Sequence, residues 1–337
     1  MKRVLITGSA GFIGFHLAKL LLEEGFRVHG YDGMTDYYDV VLKQRRHQIL
    51  LQTPGFPATE DRLENYDRLL QVAEEFQPEV IVHLAAQAGV RHSLEHPRSY
   101  VESNVVGTFN VMEIARQHKV DHLLMASTSS IYGANEDMPF TETEKADSQL
   151  TIYSATKKAN EAMGHSYAHL HDLPTTMFRF FTVYGPWGRP DMAYFKFVKA
   201  ILNGDPIDIY NHGEMYRDFT YVEDLVRGIR LLIDAAPVRP ASADEIAAND
   251  SLSLVAPYRV VNIGNSTKVR LLDFIEAIEE ALGVKAQRNY MEMQPGDVPA
   301  TWAEASLLHD LTGYKPSTTV REGIGAFVAW YRDYYGV

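Results

Sequence analysis

The chain has 337 residues, with 32 Lys and Arg against 44 Asp and Glu, for a formal net charge of −12. That balance disfavours a general nucleic-acid or anionic-membrane binder, while leaving room for a small anion in a local positive pocket. Hydrophobic residues at 46% and charged residues at 23% suit a globular protein with ample core. The absence of cysteine excludes disulfides, thiolate metal sites and a cysteine nucleophile.

The N-terminus, Met1-Lys2-Arg3-Val4-Leu5-Ile6, leads directly into a strand rather than a signal peptide. No apolar run approaches the roughly 20 residues of a membrane span. We therefore expect a soluble, cytoplasmic protein. In the first half, strand patterns at 4–7, 27–31, 80–84, 122–126 and 175–180 alternate with helical patterns at 12–24, 104–118 and 153–171. Such alternation predicts an α/β fold, a doubly wound parallel sheet covered by helices on both faces. Further helices are expected at 192–202, 222–234, 271–282, 302–311 and 320–335, and a strand at 258–263. The Ala-, Pro-, Ser- and Asp-rich stretch 236–256 reads as a long exposed loop, mobile or lid-like. The expected organisation is a Rossmann-type domain over 1–182, with returns near 214–235 and 258–264. Residues 183–337 would form a smaller, mainly substrate-binding α/β domain.

The first strand ends in Thr7-Gly8-Ser9-Ala10-Gly11-Phe12-Ile13-Gly14 and a helix follows. Gly8 permits a tight turn, Gly11 lets the backbone approach a pyrophosphate, and Gly14 lets helix and strand pack closely. The exposed amides of the helix start, Phe12 and Ile13 among them, suit phosphates. In this strand–turn–helix context the G-x-x-G-x-x-G spacing points to a dinucleotide. Asp32 ends the second strand, where an acid meets the adenosine ribose and repels a 2′-phosphate. NAD is thus favoured over NADP, with Lys43, Arg45 and Arg46 downstream as the opposing signal. Asp61 follows a strand and is a candidate for contact with the adenine.

Tyr153-Ser154-Ala155-Thr156-Lys157 places a phenol and an ammonium at i and i+4, on one helix face. A free phenol, with a pKa of about 10, is a poor base at neutral pH. Nearby positive charge, from Lys157 and an oxidised nicotinamide, favours the phenolate. The run Ser127-Thr128-Ser129-Ser130 stands at the carboxyl end of a strand, where hydroxyls can bond a substrate oxygen. His165, His169 and His171 lack the further ligands of a zinc site and read as a polar helix face, so no metal is expected.

Together these motifs resemble the extended short-chain dehydrogenase/reductase family over nearly the whole chain. Within it the chain looks most like the UDP-glucuronate 4-epimerases. The segments carrying that resemblance are Asp36-Tyr37-Tyr38-Asp39, Leu84-Ala85-Ala86-Gln87-Ala88-Gly89-Val90-Arg91, the stretch from Arg179 to Ala193, Arg217 to Val222, and Gln294 to Thr301. The resemblance implies Thr128, Tyr153 and Lys157 as catalytic residues, with Tyr153 the base. It implies Leu84, Ala85, Ala86, Asn104 and Phe180 on the cofactor, in addition to Tyr153 and Lys157. It also implies Arg217 and Asp297 on the UDP moiety, Arg91 on the substrate, and a homodimer through the helices near 104–118 and 153–171.

Dehydratases of the family carry Asp-Glu after the catalytic Thr, and decarboxylases carry Glu two residues after it. Here those positions are Ser129 and Ser130, which cannot do that acid–base work but can bond a sugar carboxylate without repelling it. Thr182 and Arg189 match further carboxylate contacts, and a guanidinium suits a carboxylate. The expectation is reversible 4-epimerisation of UDP-glucuronate to UDP-galacturonate through a 4-keto sugar. The alternatives are a UDP-glucose/UDP-galactose 4-epimerase, then a UDP-glucuronate decarboxylase or a non-catalytic NAD-binding regulator.

Overall fold

The structure is a computed structural model that describes residues 2–294 and 298–337. Its strands are β1 (Arg3–Thr7), β2 (Arg27–Asp32), β3 (Ala58–Glu60), β4 (Val80–His83), β5 (His122–Ala126), β6 (Thr175–Phe180), β7 (Thr182–Tyr184), β8 (Ile207–Ile209), β9 (Tyr216–Tyr221), β10 (Tyr258–Ile263), β11 (Lys268–Arg270), β12 (Arg288–Tyr290) and β13 (Ala300–Thr301). Seven of them form a parallel sheet in the order β10-β6-β5-β4-β1-β2-β3. β1 and β4 to β6 are almost continuously buried, as strands covered on both faces must be.

The chain runs outward from β1 in one direction through β2 and β3, then in the other through β4, β5 and β6. The crevice at that reversal, outside the carboxyl ends of the strands, is where open α/β sheets bind ligands. Thr7 of β1 stands in register with Tyr31 of β2 and His83 of β4, which brings the ends of the central strands to one rim.

One face of the sheet is covered by the helices Phe12–Glu23 and Val222–Leu232. They pack through Phe15, Ala18 and Leu21 from the first and Leu225, Val226 and Ile229 from the second. The other face carries Tyr66–Phe76, Thr108–His118 and Ile152–His171, whose buried residues include Leu69, Val72, Val111, Ile114 and Ala168. The smaller unit is built on β9. Its first half lies between antiparallel β11 and parallel β13, and its second half pairs with β7. An aromatic cluster fills this unit, with Phe219 stacked on Phe274 at 3.8 Å and Tyr184 edge-on to both.

β10 lies beside β6, and helix Val222–Leu232 lies on the large sheet, whereas β9 belongs to the smaller sheet. The helix expected over 302–311 is shorter, Ser306–Thr312, because residues just before it pair with β9 and with Phe140. The segment expected as a lid is tied down. Asp250 forms a bidentate pair with Arg259 at 2.8 and 2.9 Å, His165 Nε2 lies 2.8 Å from Ser253 Oγ, and His169 Nδ1 lies 2.7 Å from the Val255 carbonyl. These bonds hold the segment along β10 and helix Ile152–His171, and occupy two of the three histidines considered above. Among the described residues no helix is long and apolar enough to cross a membrane, and no group of three or more His, Asp or Glu side chains could hold a metal ion.

Candidate active site

A cleft of about 1420 Å³, partly open to solvent, runs along the carboxyl rim of the large sheet. Gly8, Gly11, Phe12, Ile13 and Gly14 line one end. Gly8 has φ +77°, and a Cβ there would lie 2.7 Å from the Ala85 amide nitrogen; a Cβ on Gly14 would lie 2.0 Å from the Gly8 carbonyl oxygen. Backbone thus packs where side chains would stand. Helix Phe12–Glu23 has no side-chain cap and no acidic residue in its first turn, so its first amides are presented to the cleft. Asp32 lines the same end, its carboxylate accepting from the amides of Ala10 and Met34, both at 2.9 Å. These features fit a dinucleotide diphosphate and its ribose.

Lys43 also lines this end, but its Nζ donates to the carbonyl and hydroxyl oxygens of Thr35 at 2.5 and 3.0 Å. Arg46 is fully buried and bonded to protein carbonyls. Neither cation stands free to receive a 2′-phosphate.

Leu84, Ala85, Ala86 and Phe180 line the middle of the cleft, with Thr128, Tyr153 and Lys157 on its floor. Tyr153 sits in the first turn of helix Ile152–His171, whose start is fixed by a reciprocal capping box between Thr151 and Ser154. Burial pushes the Tyr153 phenol up, while the Thr128 hydroxyl bonded to it and the charge of Arg189 pull it back down. The Lys157 ammonium donates to the Ala126 carbonyl at 3.0 Å, and burial lowers it to about 8, opposed by the Glu161 carboxylate. Arg189 thus adds a positive charge that favours the phenolate.

Behind the floor runs a buried polar network. Glu161 pairs bidentately with Arg179 at 3.0 and 2.9 Å and accepts from the Ser127 hydroxyl at 2.7 Å. His83 bridges Thr7 and Thr108, its Nδ1 2.7 Å from Thr7 Oγ1 and its Nε2 2.9 Å from Thr108 Oγ1. This network fixes the strand ends that carry the floor.

Arg189 enters the cleft from the loop after β7. Its Nε and Nη2 pair with Asp191 at 3.1 and 2.5 Å, and the Tyr37 hydroxyl donates to the same carboxylate at 3.1 Å.

Several residues expected at the site stand elsewhere. Asn104 lies behind the lining, in a π-helical turn spanning Val101–Gly107. It accepts from the Gln87 amide at 2.8 Å and donates to the Gln87 carbonyl at 3.0 Å, so it positions Gln87, which does line the cleft. The Asp61 carboxylate is turned back on the Arg62 amide and the Asn65 side chain, leaving Arg62, Leu63 and Glu64 on the wall. Ser129 and Ser130 form a short 3-10 turn capped by Thr128, whose Oγ1 accepts from the Ser130 amide at 3.2 Å. They and Thr182 stand outside the lining.

Arg91 lies over the Tyr210 ring at 5.2 Å, and Arg217 donates to the carbonyls of Tyr216, Val298 and Pro299. Both lie apart from this cleft, and Asp297 falls outside the described residues. Tyr37, Tyr38, Phe181, Val183 and Met192 line the cleft unforeseen. All five fall within or beside the segments that carry the sequence resemblance, which was their available signal.

The sequence pattern of the NAD dependent epimerase/dehydratase family matches residues 4–243. The chain belongs to that family. A probable UDP-glucuronate 4-epimerase of Rhizobium meliloti (strain 1021) is 56% identical over 333 residues, spanning 99% of this chain and 98% of the relative. UDP-glucuronate 4-epimerase 1 of Arabidopsis thaliana is 42% identical over 338 residues, spanning 99% of this chain and 77% of its own. Among solved structures, the UDP-glucuronic acid 4-epimerase from Bacillus cereus in complex with UDP-glucuronic acid and NAD superposes with a TM-score of 0.87. It is 30% identical, covering 99% of this chain and 100% of that one.

Proposed function

We propose that this protein interconverts UDP-glucuronate and UDP-galacturonate by inverting carbon 4 of the sugar through a 4-keto sugar. The observation that carries this reading is the placement of Arg189 in the same cleft as Tyr153, close enough for its charge to bear on the phenol. A cation beside the proton-transfer group suits a sugar that carries a carboxylate next to the reacting carbon.

Bound NAD supplies the hydride acceptor and donor for carbon 4. The glycine turn and Asp32 hold its adenosine end, and Lys157 its nicotinamide ribose. Tyr153 removes and returns the proton of the 4-hydroxyl, with Thr128 bonding the phenol. Arg189, which lines the cleft, holds the sugar carboxylate. A 4-keto-glucuronate is a β-keto acid, and a carboxylate held out of alignment with the ketone resists loss of carbon dioxide. Arg217 and Asp297 receive the UDP moiety and Arg91 another part of the substrate; the first two make residues 183–337 mainly the nucleotide-sugar unit and 1–182 mainly the NAD unit. The active form is a cytoplasmic homodimer. Val101, Val106 and Phe109, each 44% exposed on one of the helices concerned, and Leu170 on the other support that pairing.

A second reading, a UDP-glucose epimerase, draws on Asp191, because a carboxylate of the protein already fills one edge of the Arg189 fork with a bidentate pair. Incubation with each sugar nucleotide, separation of products and assay of carbon dioxide decide between them. The expected product from UDP-glucuronate is UDP-galacturonate with little UDP-pentose and no stoichiometric NADH. Arg189→Ala should cut kcat/KM for UDP-glucuronate about ten- to a hundredfold more than for UDP-glucose, the loss of one charged hydrogen bond. Equal losses would remove Arg189 as the carboxylate reader, and a mainly pentose product would remove the epimerase reading.

A further inference from the structure

Arg46 is a cation with no exposed surface, and the groups bonded to it are not carboxylates. Its Nη1 donates to the Ala10 carbonyl at 3.1 Å and to the Tyr38 hydroxyl at 2.9 Å. Its Nη2 donates to the carbonyls of Trp187 at 2.5 Å and Gly188 at 3.1 Å. Nε is buried without a partner. A buried charge held only by carbonyl and hydroxyl dipoles is costly, and apolar packing would serve stability alone at least as well.

What Arg46 joins is specific. Ala10 belongs to the glycine turn, and its amide is bonded to Asp32 at the cofactor end of the cleft. Trp187 and Gly188 immediately precede Arg189. Trp187 adopts φ +59°, the left-handed region that a bulky residue rarely enters, and the position persists only if its surroundings over-determine it. The surroundings do so from two sides. Phe15, Trp330 and Tyr334 pack on the indole at 5.2–5.6 Å, and Arg46 takes the carbonyl. One planar fork therefore spans two segments 141 and 36 residues away from it in sequence. The chain of bonds runs from Asp32 through the Ala10 peptide and Arg46 to the backbone that carries Arg189.

We propose that Arg46 is a positioning residue that couples cofactor occupancy at the glycine turn to the placement of Arg189, so that NAD and the sugar carboxylate are bound cooperatively. This rests on the reading of Arg189 given above. A lysine could not replace Arg46, because an ammonium offers its donors from one point and cannot span both segments as a fork does.

The test uses full-length Arg46→Lys, which keeps the charge, and Arg46→Met, with melting temperatures to confirm folding. NAD is titrated calorimetrically with and without UDP-glucuronate. In the wild type the sugar nucleotide should tighten NAD binding about five- to tenfold, within the usual range of coupling between sites. In Arg46→Lys the two titrations should agree within about twofold, and the preference for UDP-glucuronate over UDP-glucose in kcat/KM should fall about tenfold. Arg46→Lys combined with Arg189→Ala should show no lower sugar preference than Arg189→Ala alone, because Arg46 acts through Arg189. Wild-type coupling in a folded Arg46→Lys protein, or losses of preference that multiply in the double variant, would overturn the proposal. If Arg189→Ala leaves the sugar preference unchanged, the reading of Arg189 fails on its own, and Arg46 is judged on the NAD titrations. If Arg46→Met does not fold, Arg46→Lys decides.

Discussion

Tyr153 carries its chemistry against its surroundings. Burial raises the phenol, and the Thr128 hydroxyl and the Arg189 charge oppose it. The spacing of Tyr153 and Lys157 was legible in the sequence, but the added charge of Arg189 was not, because Arg189 comes from a loop 36 positions downstream of the phenol. Lys157 is instead held on the Ala126 carbonyl, which fixes its ammonium on the cleft floor. Tyr153→Phe should keep the fold and bound NAD, since the ring stays and only the hydroxyl is lost. Turnover should fall by about a hundredfold or more, the usual contribution of a general acid–base group. The check is kcat for UDP-glucuronate beside a melting curve and a cofactor titration. Near-normal turnover in a folded, NAD-loaded variant would remove Tyr153 as the base.

Helix Ile152–His171 shows how an element delivers that residue. Its capping box leaves Tyr153 one residue past the helix start, so the cap and the phenol share a turn. Thr151→Ala should lower stability by about 1 kcal/mol, and fraying of that turn should reduce kcat more than KM. A kcat unchanged despite the lost stability would separate the cap from the chemistry. The elements that sequence reading recovered, β1, β2, β4, β5, β6 and β10, are apolar runs with glycine, proline or helix signals at their ends. Helix Val40–Leu51 was missed because two of its four buried positions are Lys43 and Arg46, whose charges break the apolar pattern. Helix Tyr66–Phe76 had a readable signal, an Asn65 cap with Leu69, Val72 and Ala73 on one face. β9 was hidden because its Arg217 and Asp218 break the apolar pattern; Asp218 is buried and accepts from the amides of Asn265 and Ser266. Asn104, implied on the cofactor by resemblance, is buried and bonded to Gln87, because sequence cannot distinguish a residue that touches a ligand from one that holds its neighbour.

Across the whole molecule, burial holds His16, His29 and His122 at about 4 and His83 at about 3, below the ordinary value of 6.5. Each sits neutral in the fold: His83 lies between two threonine hydroxyls, His122 near Thr176, and His16 near the Pro186 carbonyl. The unfolded chain takes up a proton at each as pH falls below 6.5, and the folded chain does not until much lower. The stability they contribute is therefore complete above pH 6.5 and lost as pH falls from there toward about 4, at up to about 1.4 kcal/mol per pH unit for each histidine. Glu142 runs the other way. Burial raises it to about 7, so the fold binds its proton first and gains stability as pH falls from about 7 to its ordinary value of 4.5. It offsets about one histidine and leaves a net acid sensitivity well before the other carboxylates titrate. Unfolding by urea at pH 7.5, 6.5, 5.5 and 5.0 should show stability nearly flat over the first step and falling steeply over the last two. His83→Gln should start less stable, since its bridge between β1 and the helix start at Thr108 is weakened, yet lose about 1 kcal/mol less than the wild type between pH 6.5 and 5.0. Parallel curves for wild type and variant would mean that His83 is not held neutral beneath the cleft.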